Sequence, residues 1–422
     1  MFELLDSIRR CALPMNRSGW LTVLGSFLAA TTSSGVILTM TFSVFVKPIG
    51  DEFGWSRAFV SLGYTAALIS IALFLPVTGR LFDRFGVRSV LLWFVMLFSL
   101  SIVFLSITPN VPVIFVALYA VVGAFGGGHS SVPYAKIVSS WFDRRRGVAL
   151  GITMAGVGAG GALLPQVARA LMDLFGWRLT YLCIGLIVFT IAMPAVLWLI
   201  REPVSPGGVV GIAASVVGTH DVQRARSVTT LFRDTRVWLI VVPVFLMSMA
   251  VSGIATHMYP LLVDRGIDSA TAGSLLTGLG LATLIGRIAT GFLLDRLFAP
   301  YVAVGTVILT AIGALVLWNA ARAPVLGVVL LGLGLGAEMD VMGYLVSRYF
   351  DASHFGEVFG FVMSAFALAA GLGAPLMGYS FDRTGTYDAA LVGFAVGLSC
   401  SVVPLLRLGP YAYPPSQIRT RP

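Results

Sequence analysis

The chain has 422 residues, 57% of them hydrophobic and 11% charged, with a net charge of +9. So few charges cannot cover a soluble protein of this length, which excludes the soluble classes and leaves a multi-pass membrane protein. The positive balance sits in short loops between apolar runs, where membrane orientation explains it better than nucleic-acid binding does.

Twelve apolar spans follow one another, each long enough to cross a bilayer as a helix. They cover roughly 20–46, 56–78, 88–107, 112–138, 147–170 and 178–200, then 237–262, 270–292, 300–320, 325–347, 356–378 and 388–408. The longest gap, 201–236, carries Pro203, Pro206, Gly207, Gly208 and several arginines and splits the spans six and six. It reads as a cytoplasmic linker, with a surface helix near Val228–Asp234, between an N-terminal bundle at 1–200 and a C-terminal bundle at 237–422. The run before the first span carries Arg9, Arg10 and Arg17, and the apolar stretch after it is too long for a cleavable signal peptide. Counting Lys and Arg by loop puts 19 on the side of the N-terminus and 7 on the other, so both termini are expected in the cytoplasm. Cys11, Cys183 and Cys400 have no paired spacing and give no disulfide or metal signal.

Between spans 2 and 3 lies a charged hinge, Gly79-Arg80-Leu81-Phe82-Asp83-Arg84-Phe85-Gly86-Val87-Arg88. Its two glycines suit a tight turn, and Asp83 suits the N-termini of neighbouring helices. A weaker copy, Gly291-Phe292-Leu293-Leu294-Asp295-Arg296, stands 212 positions later. Gly126-x-Gly128 in span 4 matches Gly334-x-Gly336 in span 10, and Trp141-Phe142-Asp143 matches Tyr349-Phe350-Asp351, both at an offset of 208. Spans 5 and 11 share a Gly–Pro–Gly spacing. These agreements imply a duplicated chain, with two pseudo-symmetric six-helix bundles.

These residues resemble the major facilitator superfamily over nearly the whole chain. Within it, Trp141-Phe142-Asp143-Arg144-Arg145-Arg146-Gly147-Val148-Ala149-Leu150-Gly151, followed by Met154-Ala155-Gly156, is similar to the span 4–5 signature of the monocarboxylate transporter and oxalate/formate antiporter group. Asn16-Arg17-Ser18-Gly19-Trp20 is a weaker echo of that group's motif before span 1. The resemblance implies alternating access and a latch at the cytoplasmic face, formed by Gly79, Asp83, Arg84 and Arg88 with Asp295 and Arg296, that steadies the outward-open state. It also implies a carboxylate-binding arginine in span 8, where Arg287 stands. Two departures count against a simple monocarboxylate substrate. Spans 1 and 11 have no embedded lysine, and span 10 carries Glu338 and Asp340.

Charges inside a bilayer are functional candidates, because leaving them unpaired there costs several kcal/mol. Arg287 is the first, with a guanidinium suited to a bidentate carboxylate grip or to an acid on a neighbouring helix. Glu338 and Asp340 point about 200° apart on one helix, and either suits proton coupling. His129, after three glycines in span 4, and Tyr134 are candidate substrate contacts. Thr32 and Ser33, in the polar run of span 1, suit either lining a cavity or bonding neighbouring carbonyls. The run Gly156-x-Gly158-x-Gly160-Gly161 has no strand before it and no P-loop lysine, so it reads as a packing seam.

The expected activity is secondary transport of a small organic anion, a carboxylate, by proton coupling or exchange. No cofactor, metal, nucleic acid or catalytic constellation is expected; the proton gradient supplies energy, and the working unit is a monomer in an inner membrane. A proton-driven efflux pump for hydrophobic or cationic compounds is the alternative, with the span 10 acids as its recognition charges. A non-transporting sensor is the remote one.

Overall fold

The computed structural model describes residues 17–142, 146–202, 234–318, 323–350 and 355–411, and every regular element among them is helical. Most of the expected linker, with Val228–Arg233 of the surface helix, lies outside the described residues, as do Cys11, Asn16 and Asp143–Arg145.

Span 1 is broken. Arg17–Ala30 is α-helical, the chain turns at 31–33, and it continues through a π-helical Val36–Thr41, a 3-10 turn at Phe42–Val44 and a helix at Val46–Phe53. Two hydroxyls accompany the break. Thr31 donates to the Leu28 carbonyl at 2.7 Å and Thr32 to that of Ala29 at 3.1 Å, an alternative to the helical pattern.

Span 2 is Arg57–Phe85 and span 3 is Val87–Leu105. Span 4 runs Pro112–Gly126, tightens at Gly127–His129 and resumes at Ser131–Ser139. Spans 5 and 6 share Arg146–Pro194, divided at Gly176, whose φ of +71° belongs to no helix; a π-helical Ala195–Leu199 follows. Spans 7 to 12 are Thr235–Asp264, Ser269–Arg296, Ala299–Trp318, Pro324–Tyr349, Phe355–Thr384 and Asp388–Leu406. Ten stretches meet the length and hydropathy of a crossing among the described residues. One of them, Gly147–Leu199, holds two spans, and the short Ser18–Ala30 begins the broken first span, which restores twelve.

Duplication shows in construction. Ser56 caps span 2 by accepting from the Phe59 amide, and Asp268 caps span 8 by accepting from that of Thr271. Pro112 and Pro324 each occupy the first turn of spans 4 and 10, where a missing N–H costs nothing. Both pairs stand 212 residues apart, the offset of the hinge motif. Packing follows the same plan: span 1 lies on 5, 2 on 4 and 3 on 6, as 7 lies on 11, 8 on 10 and 9 on 12.

The glycine run of span 5 is a two-sided seam. Gly156 and Gly160 lie against the carbonyls of Phe27 and Thr31 in span 1, while Gly158 and Gly161 face Leu284 and Gly280 in span 8. No side chain fits between span 5 and span 1, because a Cβ at Gly160 would stand 1.9 Å from the Thr31 oxygen.

The halves meet unevenly. We call the end bearing the Gly79–Arg88 turn the hinge face and the opposite end the far face. Spans 2 and 11 touch at the far face, where a Cβ at Gly378 would fall 2.4 Å from the Ala58 nitrogen. Spans 5 and 8 touch near mid-depth, at Gly161 and Gly280. At the hinge ends of the same helices, Gly79 and Gly291 have nothing within 4 Å of where a Cβ would be among the described residues. Among the described residues, every hydrogen bond between the halves lies at mid-depth or towards the far face.

Candidate functional site

Spans 8 and 10 pack through glycine. Gly336 lies against the Thr283 carbonyl and Gly286 against that of Leu333, so the two helices approach backbone to backbone. This brings Arg287 to Asp340, with Nε 3.6 Å from Oδ2. The pair is half-buried, with side chains 31% and 36% exposed. The contact is long and monodentate. Nε is buried without a hydrogen bond, and among the described residues no hydrogen bond fixes the remaining guanidinium nitrogens. The guanidinium thus meets an acid on a neighbouring helix, one of the two arrangements its position suggests.

Glu338, two residues earlier, turns the other way, as a 200° separation requires. It is 4% exposed, and its Oε1 has no hydrogen-bond partner among the described residues. Ser248 of span 7 lies beside its carboxyl. The Ser248 hydroxyl already donates to the Phe366 carbonyl at 3.0 Å, so it offers Glu338 only lone pairs. Tyr64 of span 2, bonded to Thr39 at 3.4 Å, faces the same region. The two acids of span 10 therefore occupy unlike places, one paired at a half-open surface and one buried without a charge partner among the described residues.

The other expected substrate contacts form a separate buried knot. His129 Nε2 donates to the Thr32 carbonyl at 3.0 Å and lies 3.3 Å from the Thr32 hydroxyl. Its Nδ1 accepts from the Tyr134 hydroxyl at 2.7 Å. Both ring nitrogens are used. His129, Tyr134, Thr32 and Ser33 are all buried in this conformation, wedged between spans 1, 3 and 4. In the polar run of span 1, the Thr31 and Thr32 hydroxyls bond carbonyls in this conformation. None of the four is brought to Arg287.

At the hinge face, Gly86 makes the turn alone, with φ +81°; Gly79 is helical, a full two turns earlier, and takes no part in it. The Arg88 amide donates to Glu202 at 2.7 Å and its guanidinium to the Leu197 carbonyl at 2.5 Å, tying span 3 to the end of span 6. The Arg84 and Arg296 guanidiniums lie over the rings of Phe85 and Phe292, one residue and one turn away. Asp295 is exposed, and the backbone alone of Asp83 is described. Among the described residues these groups make no ion pair between the halves.

A cluster at the far face does. Arg57 donates to Asp264 at 2.5 Å and bonds the Tyr387 hydroxyl, with its guanidinium 3.6 Å over the Phe381 ring. Lys47 reaches the other Asp264 oxygen at 3.4 Å. Asp382 accepts from the Arg57 and Ala58 amides, both at 2.9 Å. Beneath them His257 bonds Ser61 at 2.9 Å and the Ala374 carbonyl at 3.0 Å. Burial and the neighbouring guanidinium act in opposite directions on the Tyr387 phenol, and burial prevails, raising it above its ordinary value. Charge counting treats Lys47 and Arg57 as topology markers, and only the fold brings them to acids of the other half.

The comparisons agree with this architecture. The Major Facilitator Superfamily profile matches residues 22–320 and 245–422. The chain belongs to that superfamily. It is 24% identical over 407 residues to YcxA, an uncharacterised MFS-type transporter of Bacillus subtilis (strain 168), covering 92% of this chain and 96% of that one. It is 26% identical over 380 residues to monocarboxylate transporter 13 of Bos taurus, covering 89% and 85%. Among solved structures, a D-xylose–proton symporter superposes with a TM-score of 0.70 at 16% identity, covering 94% of this chain and 97% of that one, a likeness of fold. The protein is a multi-pass membrane transporter resembling the monocarboxylate transporter group.

Proposed function

We propose that this transporter carries a small organic anion, a carboxylate, together with a proton or in exchange for a second anion. The observation that carries the reading is the loose Arg287–Asp340 pair, in the hinge-side half of span 8, whose guanidinium has no hydrogen bond among the described residues. A substrate carboxylate can take Arg287 in a two-pronged grip and displace Asp340. Asp340 then loses its counter-charge, and a proton neutralises it in the low-dielectric interior. Substrate and proton therefore favour each other's binding, which is the thermodynamic requirement for coupling. Glu338 serves as a second proton acceptor, buried beside Ser248.

The hinge face is assigned to the cytoplasm on the 19-to-7 bias of basic residues, with both termini inside and the protein a monomer in the inner membrane. On that assignment the described conformation is inward-open. The His129–Tyr134–Thr32 knot then fixes the break in span 1 and acts on substrate only through that backbone. One observation favours a cationic cargo instead: Glu338 is an acid without a charge partner among the described residues.

Glu338→Gln and Asp340→Asn, reconstituted separately in vesicles, test the coupling. Anion exchange at equal pH is expected to persist while uptake driven by a pH gradient falls at least tenfold in one of them. Gradient-driven uptake at the parent rate in both variants would contradict proton coupling through span 10, and uptake of cations alone would replace the anion reading with the efflux one.

A further inference from the structure

We propose that Asp382 is the far-face counterpart of Asp83, a carboxylate that caps span 2 while the hinge face is open and releases it when the far face opens. The inference does not depend on the cargo. It begins in the sequence. Gly378-Tyr379-Ser380-Phe381-Asp382-Arg383-Thr384-Gly385 repeats Gly79-Arg80-Leu81-Phe82-Asp83-Arg84-Phe85-Gly86 at its glycines, phenylalanine, aspartate and arginine, with identical spacing. One stretch ends span 2 at the hinge face and the other ends span 11 at the far face. Both close on a glycine with positive φ, +81° at Gly86 and +69° at Gly385.

The geometry gives the motif its use. Spans 2 and 11 run antiparallel, so the end of span 11 lies beside the start of span 2. The first amides of a helix have no partner inside it and carry the positive end of its dipole. Asp382 accepts from two of them, those of Arg57 and Ala58. Gly378, one turn earlier, lacks the Cβ that would push span 2 away. Phe381 receives the Arg57 guanidinium on its face. Glycine, phenylalanine and aspartate thus act on one target, the first turn of span 2. Every one of these contacts joins the two halves, so parting spans 2 and 11 at the far face breaks all of them together. A contact made in one conformation alone shifts the population towards it. The same stretch at the end of span 2 lies at the hinge face, where span 11 begins and where the resemblance implies a latch that acts when that face closes. The two carboxylates engage in turn.

The test is the distance between spin labels at the far-face ends of the two halves, Asn110→Cys in the loop before span 4 and Val325→Cys in the first turn of span 10, both exposed, with the native cysteines replaced by serine. Asp382→Ala should raise the far-face-open fraction about tenfold, the scale of losing charge-assisted bonds to two amides. Asp382→Asn should give a smaller rise, since its amide oxygen still accepts one bond. Asp83→Asn should move the population the other way. Asp388→Asn is the control: Asp388 pairs with Arg265 inside the C-terminal half and should leave the distances unchanged. A folded Asp382→Ala protein with the parent distribution would overturn the proposal, as would equal shifts in the Asp382 and Asp388 variants. If Asp382→Ala fails to fold, an unchanged distribution in Asp382→Asn overturns it.

Discussion

Spans 2 and 11 are joined at one end and apart at the other, and the two ends differ in kind. At the far face the helices touch through Gly378 and Ala58, and a buried guanidinium, two carboxylates and a phenol cross from half to half. At the hinge face Gly79 meets nothing among the described residues, and Arg84, Arg88 and Arg296 contact groups of their own half. The difference teaches that the conformational preference resides in the seams rather than at the candidate cargo site. Arg287 and Asp340 belong to one half and sit on adjoining helices, so their pairing survives whichever face is open.

Four substitutions break or sharpen that contrast, in order of expected size. Gly280→Leu drives a side chain into the backbone of Gly161 and Ala162, 2.5 Å from where a Cβ would begin. Overpacking against backbone should cost about 3 kcal/mol or more, read as a large fall in melting temperature in detergent. Arg57→Ala leaves Asp264 with Lys47 alone and should cost about 2 kcal/mol, read as a lower melting temperature together with greater labelling of far-face cysteines. Tyr134→Phe removes one bond to a buried ring nitrogen and should cost about 1 kcal/mol, read from the melt; transport kinetics at the parent level would mark the hydroxyl as structural, and a raised KM would mark it as a cargo contact. Gly79→Ala enters open space within a helix and should change stability by less than about 0.5 kcal/mol, checked by the same melt.

Much of this was legible in the residues. Twelve spans, the duplication and the packing use of the Gly156–Gly161 run follow from apolar length and small-residue spacing, both of which are local. The pairing of Arg287 was legible as a choice between substrate and a neighbouring acid, and the helix-packing glycines of spans 8 and 10 decide which acid is at hand. The fate of Thr32 and Ser33 was not legible. Hydroxyls that bond their own carbonyls and hydroxyls that line water have the same spacing, and only burial separates them. The bonding of His129 was not legible for a related reason, since a histidine with both nitrogens bonded looks in sequence like one that is free. The far-face cluster was the largest omission. Lys47, Arg57, Asp264 and Asp382 lie on four elements, and no periodicity joins them. The repeated Gly-x-x-Phe-Asp-Arg-x-Gly spacing was the one available signal.

The most direct test of the anion reading is uptake of a panel of labelled carboxylates into vesicles of the purified protein, with and without an imposed pH gradient, for the parent, Arg287→Lys and Arg287→Ala. Gradient-driven uptake of at least one carboxylate, weakened in Arg287→Lys and reduced about a hundredfold or more in Arg287→Ala, is the expected result, as a lost charge-assisted grip of about 3 kcal/mol implies. Full activity in Arg287→Ala, or no carboxylate uptake by the folded parent, would contradict it.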